Sequence, residues 1–364
     1  MNGLIGYSLV DNKSFSTLGV TTYVLGSTIT AMPAALWMAR VGRRRGFMTG
    51  SVLAIIGSSL AAWALWQSSF ILFCIGTAII GGYAAFGLQY RFAAAEVAAP
   101  AFRVKAISLV LTGGIAGGFL GPEAARWGQH LLPIPFLGSF LILAGIAILA
   151  LFIQAQVRIP APAAATTTGQ GRPLREIIQQ PVFIVAALSG ATGYALMNLL
   201  MTATPLAMDF CGHPFSSAAY VIEWHVVSMY APGFFTGTLI TRYGPQRIIF
   251  SGTLLVAGCI ATALSGMTVT HFLVGLILLG IGWNFMYTGA TTLLTESCRA
   301  EEKARTQGAN DFAVFAGMSL SSVASGALVS NTGWETMNIA AIPILLVVVI
   351  ALFWLKRMAY TTKP

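Results

Sequence analysis

Several helical stripes carry groups that could hold a solute. Tyr83, Phe86 and Tyr90 recur at i, i+3 and i+7, which lines their rings along one helix face. Tyr194, Asn198 and Met201 repeat the pattern, and Trp283 and Tyr287 lie one turn apart beside Asn284, Thr288 and Thr291. Rings flanked by amides and hydroxyls suit a planar, heteroaromatic, hydrogen-bonding solute. Taken singly, each stripe also fits ordinary interior packing.

The acids suggest a second kind of chemistry. Glu223 lies about seven residues into an apolar stretch, roughly 10 Å from its outer end at 1.5 Å per residue. A carboxylate at that depth is costly unless paired or protonated, so Glu223 is the leading candidate for proton coupling. His225 follows two positions later, about 200° round the helix, with Trp224 between them. Both are candidate solute contacts, although Glu223 and His225 cannot both point squarely into one cavity. Asp311, next to Asn310, is the second coupling candidate, and an ion pair with Arg305 is its alternative role. Glu123 and Arg126, at i and i+3, read as an ion pair at an outer helix end.

Composition excludes most other classes. Of the 364 residues only 9% are charged, against about 25% in soluble proteins, while 56% are hydrophobic and mean hydropathy is +0.79. A bilayer is therefore the solvent. No glycine precedes a lysine, so there is no phosphate loop for an ATP-driven pump. H-E-x-x-H and G-x-S-x-G are absent, which argues against an enzyme, and the histidines are too scattered in sequence to suggest a metal. Four cysteines without a C-x-x-C make no disulfide framework, and no cofactor motif is present.

Those residues must be positioned by membrane helices. A span needs roughly 20 apolar residues, and about eleven stretches qualify: 15–39, 47–66, 70–91, 102–124, 134–156, 181–204, 215–241, 247–266, 270–295, 304–329 and 334–356. They do not alternate apolar with polar residues, so the expected class is all-α rather than a barrel. Met1 to Val10 is apolar but half a span long and meets the polar cluster Asp11-Asn12-Lys13, as the second half of a truncated first helix would.

If the loop after 15–39 is cytoplasmic, all 20 Lys and Arg except Lys13 and Arg126 fall on the cytoplasmic side or at its boundary, with the C-terminus. Topology thus explains a net charge of +9 without any nucleic-acid partner. Residues 157–180 are rich in Pro, Thr, Gly and Arg and read as a cytoplasmic linker between two halves, 1–156 and 181–364. The halves resemble each other: Ala35–Arg44 matches Gly237–Gln246, while Gly82, Glu96, Arg103 and Lys105 match Gly282, Glu296, Lys303 and Arg305. Two pseudo-repeated six-helix bundles, the first helix incomplete, suit alternating access around a midplane site.

Arg40, Gly42, Arg43 and Arg44 resemble the G-x-L-x-D-R-x-G-R-R signature loop of the major facilitator superfamily, with a weaker copy at Gly237, Leu239, Arg242 and Gly244. The usual Gly and Asp are Ala35 and Ala39, and the second copy has Thr241 for the acid. Since the acid of the family's cytoplasmic latch is missing, substitute pairs are expected between Glu96 and the Arg40–Arg45 cluster and between Glu296 and Arg242 or Arg247. The alternative is that these charges are solvated stop signals. Gly117-x-x-x-Gly121-Pro122 partly resembles an antiporter motif but lacks its trailing glycines.

A narrower resemblance rests on Thr204–Met208, Cys211-Gly212-His213, Val221–Val226 and Ala231–Gly237, with Tyr90–Ala94 and Arg103–Ser108 in the first half. These segments are similar to a bacterial subgroup that includes riboflavin-uptake transporters. The resemblance implies a monomeric secondary transporter of the bacterial inner membrane, taking up riboflavin or a similar compound. Proton-coupled efflux of aromatic drugs is the rival within transport, and a non-transporting sensor is the rival outside it.

Overall fold

In lipid the backbone must satisfy its own hydrogen bonds, which leaves helices as the solution for long apolar runs. The computed structural model describes residues 2–9, 18–159 and 171–361, and these contain helices and no strand. Asp11, Asn12, Lys13, Lys363 and the linker centre, 160–170, lie outside the described residues.

The helices are α1 (Asn2–Leu9), α2 (Leu18–Val41), α3 (Arg43–Trp66), α4 (Phe70–Leu88), α5 (Tyr90–Val97), α6 (Arg103–Gln129) and α7 (Leu137–Gln156). They continue as α8 (Leu174–Ile178), α9 (Pro181–Phe210), α10 (Phe215–Tyr230), α11 (Gly233–Tyr243), α12 (Pro245–Ser265), α13 (Val269–Thr295) and α14 (Lys303–Thr361). Among the described residues nine helices are long and apolar enough to cross a membrane, against the eleven or so expected. The expected span 215–241 is broken: Pro232 lacks an amide hydrogen, and the chain restarts at Gly233, dividing that stretch into α10 and α11. The expected 304–329 span is helical within α14, which changes direction at Gly333 before its last apolar run.

Two short loops show how sequence sets the turns. Gly42 ends α2 with φ +87°, and Gly244 ends α11 with φ +85°. Side chains other than glycine rarely adopt that conformation, so the Val-Gly-Arg and Tyr-Gly-Pro loops reverse the chain with no intervening residues. Pro245 then opens α12 where its missing amide hydrogen costs nothing.

The chain forms two compact units. The first comprises Met1–Ala93, Phe119–Gln170 and Gln307–Phe315, with α4 packed on α2 and α3, and α3 on α7. The second comprises Ala94–Gly118, Gly171–Thr306 and Ala316–Pro364, with α13 packed against α9, α10 and α12. Gly252 and Gly282 bring α12 and α13 together so closely that a Cβ on Gly282 would lie 2.9 Å from the Gly252 carbonyl. Clamped there, α13 can bury polar side chains and large rings on its other faces.

Candidate functional site

In the second unit, α13 presents Trp283 and Tyr287 one turn apart, their rings stacked at 5.2 Å and 15°. Tyr194 from α9 meets both edge-on at 5.3 Å and 5.2 Å, and Tyr230 from α10 meets Trp283 edge-on at 5.6 Å. Trp283 and Tyr287 are each 1% exposed. Edge-to-face and offset geometries match the ring quadrupole, so the four rings form one cluster rather than a chance contact. The stripe spacing in the sequence singled out Tyr194, Trp283 and Tyr287. It missed Tyr230, which sits at the last residue of α10 beside the break at Pro232 and has no stripe of its own.

Asn284 holds this cluster in place rather than facing open space. Its amide nitrogen donates to the Met229 carbonyl at 2.7 Å, and its oxygen accepts from the Thr236 hydroxyl at 2.8 Å, tying α13 to α10 and α11. Asn198 donates to the Ser321 hydroxyl at 3.0 Å and so joins α9 to α14. His225 is fully buried, with Nδ1 2.7 Å from the Leu276 carbonyl. Its neighbours lie on the opposite face: Glu223 is exposed, and Trp224 is 45% exposed, edge-on to Tyr220. The angular separation read from the sequence is therefore the separation of buried from exposed.

The first unit contains a buried polar network. Asp311, 0% exposed, forms an ion pair with Arg91, 1% exposed, and accepts from the Gln89 amide at 2.6 Å and the Asn310 amide at 3.1 Å. Gln89 also accepts from Arg43 at 2.8 Å, and the other guanidinium nitrogen of Arg43 donates to Gln307 at 2.7 Å. Asp311 thus pairs with Arg91 rather than with Arg305. Sequence reasoning placed Arg43 and Asp311 in separate roles and missed Gln89, Arg91 and Gln307. The contacts that tie Arg43, Gln89 and Arg91 to Gln307 and Asp311 span 220 or more positions, so no local pattern could reveal them.

The remaining expected groups are placed as follows. Tyr90 stacks on Phe47 at 4.0 Å, and its hydroxyl accepts from the Gln154 amide at 2.6 Å; Tyr83 is half-buried on α4. Arg40 is exposed, and Arg44 donates to the Ala155 carbonyl. Glu96 is half-buried on α5, in the second unit. Arg242 sits over the Tyr243 ring at 5.2 Å, and among the described residues Glu296 makes no ion pair with Arg242 or Arg247. Glu123 and Arg126 pair at 3.4 Å, both exposed.

The buried carboxylate of that region is Glu302. It accepts from Arg172 Nε at 2.8 Å and Nη2 at 2.7 Å, and from the backbone amides of Arg172 and Arg299 at 3.0 Å each. The Arg172 guanidinium is the main reason its carboxyl is held down to about 2, against an ordinary 4.5. A lowered value in the folded state means that the contribution of the pair is complete above about 4.5 and is lost as pH falls through about 2. Amide exchange in 171–178 is therefore expected to be equally protected at pH 5 and pH 8, and to accelerate in Glu302→Gln. Protection that changes between those pH values would remove this pair as the anchor of the linker end.

Comparison with known proteins follows the same lines. A model of the Major Facilitator Superfamily matches residues 4–321 and 226–364. The riboflavin transporter RfnT of Brucella anthropi is 40% identical over 357 residues, covering 97% of this chain and 89% of that protein. YddS of Bacillus subtilis, an uncharacterized transporter of the same type, is 26% identical over 98% of this chain and 86% of its own length. Among solved structures, the Escherichia coli fucose:proton symporter FucP superposes with a TM-score of 0.77 at 16% identity, covering 96% of this chain and 92% of its own. At that identity the likeness speaks for the fold.

Proposed function

We propose, from the premise that this chain belongs to the Major Facilitator Superfamily, that it takes up riboflavin or a similar planar heteroaromatic compound across the bacterial inner membrane. The family makes it a multi-pass membrane transporter and not an enzyme. The substrate reading is carried by the Tyr194, Tyr230, Trp283 and Tyr287 cluster, whose flat, weakly polar surfaces match a fused aromatic ring system. Identity of 40% to a riboflavin transporter supports the same class.

Alternating access supplies the mechanism, with two pseudo-repeated bundles opening in turn to each side. In this reading the ring cluster and Asn198 contribute the second unit's contacts with the solute. The Arg43, Gln89, Arg91 and Asp311 network serves as the cytoplasmic latch in place of the acid missing at Ala39. Glu223 serves as the proton-coupling group, because it is exposed on α10 and has no ion pair among the described residues. The bias of Lys and Arg towards one set of loops supports a cytoplasmic C-terminus.

The test is growth rescue of a riboflavin-auxotrophic, uptake-deficient bacterium at low external riboflavin, with pH-dependent uptake measured in the same cells. Rescue is expected, and Glu223→Gln should flatten the pH profile. A well-expressed chain that gives no rescue defeats the flavin reading; an unaltered profile in Glu223→Gln removes this acid from coupling.

A further inference from the structure

Resting on the flavin reading above, we propose that α6 is a wall of the ring site, with Ser108 and Gly114 as the residues that position Tyr230 against Trp283. Ser108 and Gly114 belong to the first half of the sequence and the rings to the second, yet α6 as far as Gly118 lies in the second unit. Close approaches mark the seam. A Cβ on Gly118 would lie 2.2 Å from Val226 Cγ1, and one on Gly114 2.4 Å from Tyr230 Cε1. A Cβ on Gly233 would lie 2.7 Å from Thr112 Cγ2, and one on Gly237 2.7 Å from Lys105 Cα. As the α6 positions fall from 118 to 105 their partners rise from 226 to 237, so α6 runs antiparallel to α10 and α11 across the break at Pro232.

Ser108 is buried at that break. A serine or threonine within a helix ordinarily returns its hydroxyl to a carbonyl one turn back, as Thr112 does to Leu109. Ser108 turns its hydroxyl to another helix instead. It donates to the Gly233 carbonyl and accepts from the Gly237 amide at 3.0 Å, bridging the first turn of α11. Arg103–Ser108 and Ala231–Gly237, two segments that carry the narrower resemblance, thus meet here. From α13, Asn284 bonds Met229 before the break and Thr236 after it. The break is held by two helices, and Tyr230, the last residue of α10, is held with it.

Gly114 decides where the Tyr230 ring can go. The ring fills the space that a side chain at 114 would take, with Cε1, Cδ1 and Cζ all within 2.5 Å of a Cβ placed there. A larger residue has to push the ring aside, and a displaced ring loses its edge-on contact with Trp283 at 5.6 Å.

Double-mutant cycles on the purified full-length protein test this, read by quenching of riboflavin fluorescence and by melting curves. Ser108→Ala should weaken riboflavin binding by roughly 3–10-fold, the size of one neutral hydrogen bond. Gly114→Ala should also weaken it and should lower the melting temperature. In a Tyr230→Ala background neither change should weaken binding further, and Gly114→Ala should no longer lower the melting temperature, because the ring it displaces is gone. Losses of affinity that add in full to that of Tyr230→Ala, or unchanged affinity in both single variants, overturn the positioning role while leaving the flavin reading in place. An equal fall in melting temperature with and without the Tyr230 ring overturns it as well. A wild-type protein that binds no riboflavin overturns the flavin reading; the melting cycle of Gly114 with Tyr230 needs no ligand and tells the two failures apart.

Discussion

Asp311→Asn is expected to cut uptake by more than tenfold and to destabilise the first unit by about 3–5 kcal/mol, the usual cost of leaving one member of a buried ion pair without its counter-charge. Arg91 is 1% exposed and has no water to turn to when the carboxylate is lost. The amide that replaces the carboxylate keeps the shape, but its NH2 group cannot accept a hydrogen bond, so the donor from Gln89 or from Asn310 loses its acceptor along with the counter-charge while packing is preserved. Removing both charges, in Arg91→Met with Asp311→Leu, should recover much of the stability, because burying two apolar side chains carries no desolvation penalty. It should not recover uptake if the pair is a latch that has to open and close. Thermal unfolding of the detergent-solubilised protein and uptake in cells read the two effects separately. A silent Asp311→Asn would remove the Arg91 pair from the gating mechanism, and the latch would have to be sought elsewhere.

Trp283→Ala should abolish measurable flavin binding and cost about 3–5 kcal/mol, as large-to-small changes at buried aromatic positions do. Trp283 touches every other ring in its cluster, so truncation removes three ring contacts and opens a cavity between α9, α10 and α13. Trp283→Phe keeps a stacking face against Tyr287 and should retain most of the stability. Titration of the purified variants with riboflavin, alongside their melting curves, separates a lost binding surface from a collapsed one. Normal flavin affinity in a folded Trp283→Ala protein would show that the cluster is packing alone.

The helices and the reversals between them were legible in the chain because each depends on residues within a turn or two of one another. Apolar length predicts α2, α3, α7, α9, α12 and α13, and the positions of Gly42, Gly244 and Pro245 predict their sharp connections. The spacing of Trp283 and Tyr287, and the opposed directions of Glu223 and His225, follow from 3.6 residues per turn. Expectations failed where they required knowing which helix lies beside which. Asn284 looked like a solute contact, since an amide within an apolar run is conspicuous, yet both its polar atoms are occupied by α10 and α11. Glu296 looked like a gate acid by its match to Glu96, whereas Glu302, six residues on, is the buried acid and takes the half-buried Arg172.

The sequence by itself determined that this protein lives in a bilayer, that it is helical, and that it resembles a transporter family. These are consequences of composition and periodicity, which a single chain displays in full. Only the tertiary structure decided that Asp311 meets Arg91, that Tyr230 completes the rings around Trp283, and that Gly193 of α9 meets Met286 of α13. Such pairings join residues far apart along the chain, and in lipid they are chosen by close helix packing and by the need of each buried polar group for a partner. Neither leaves a periodic trace in the order of the residues.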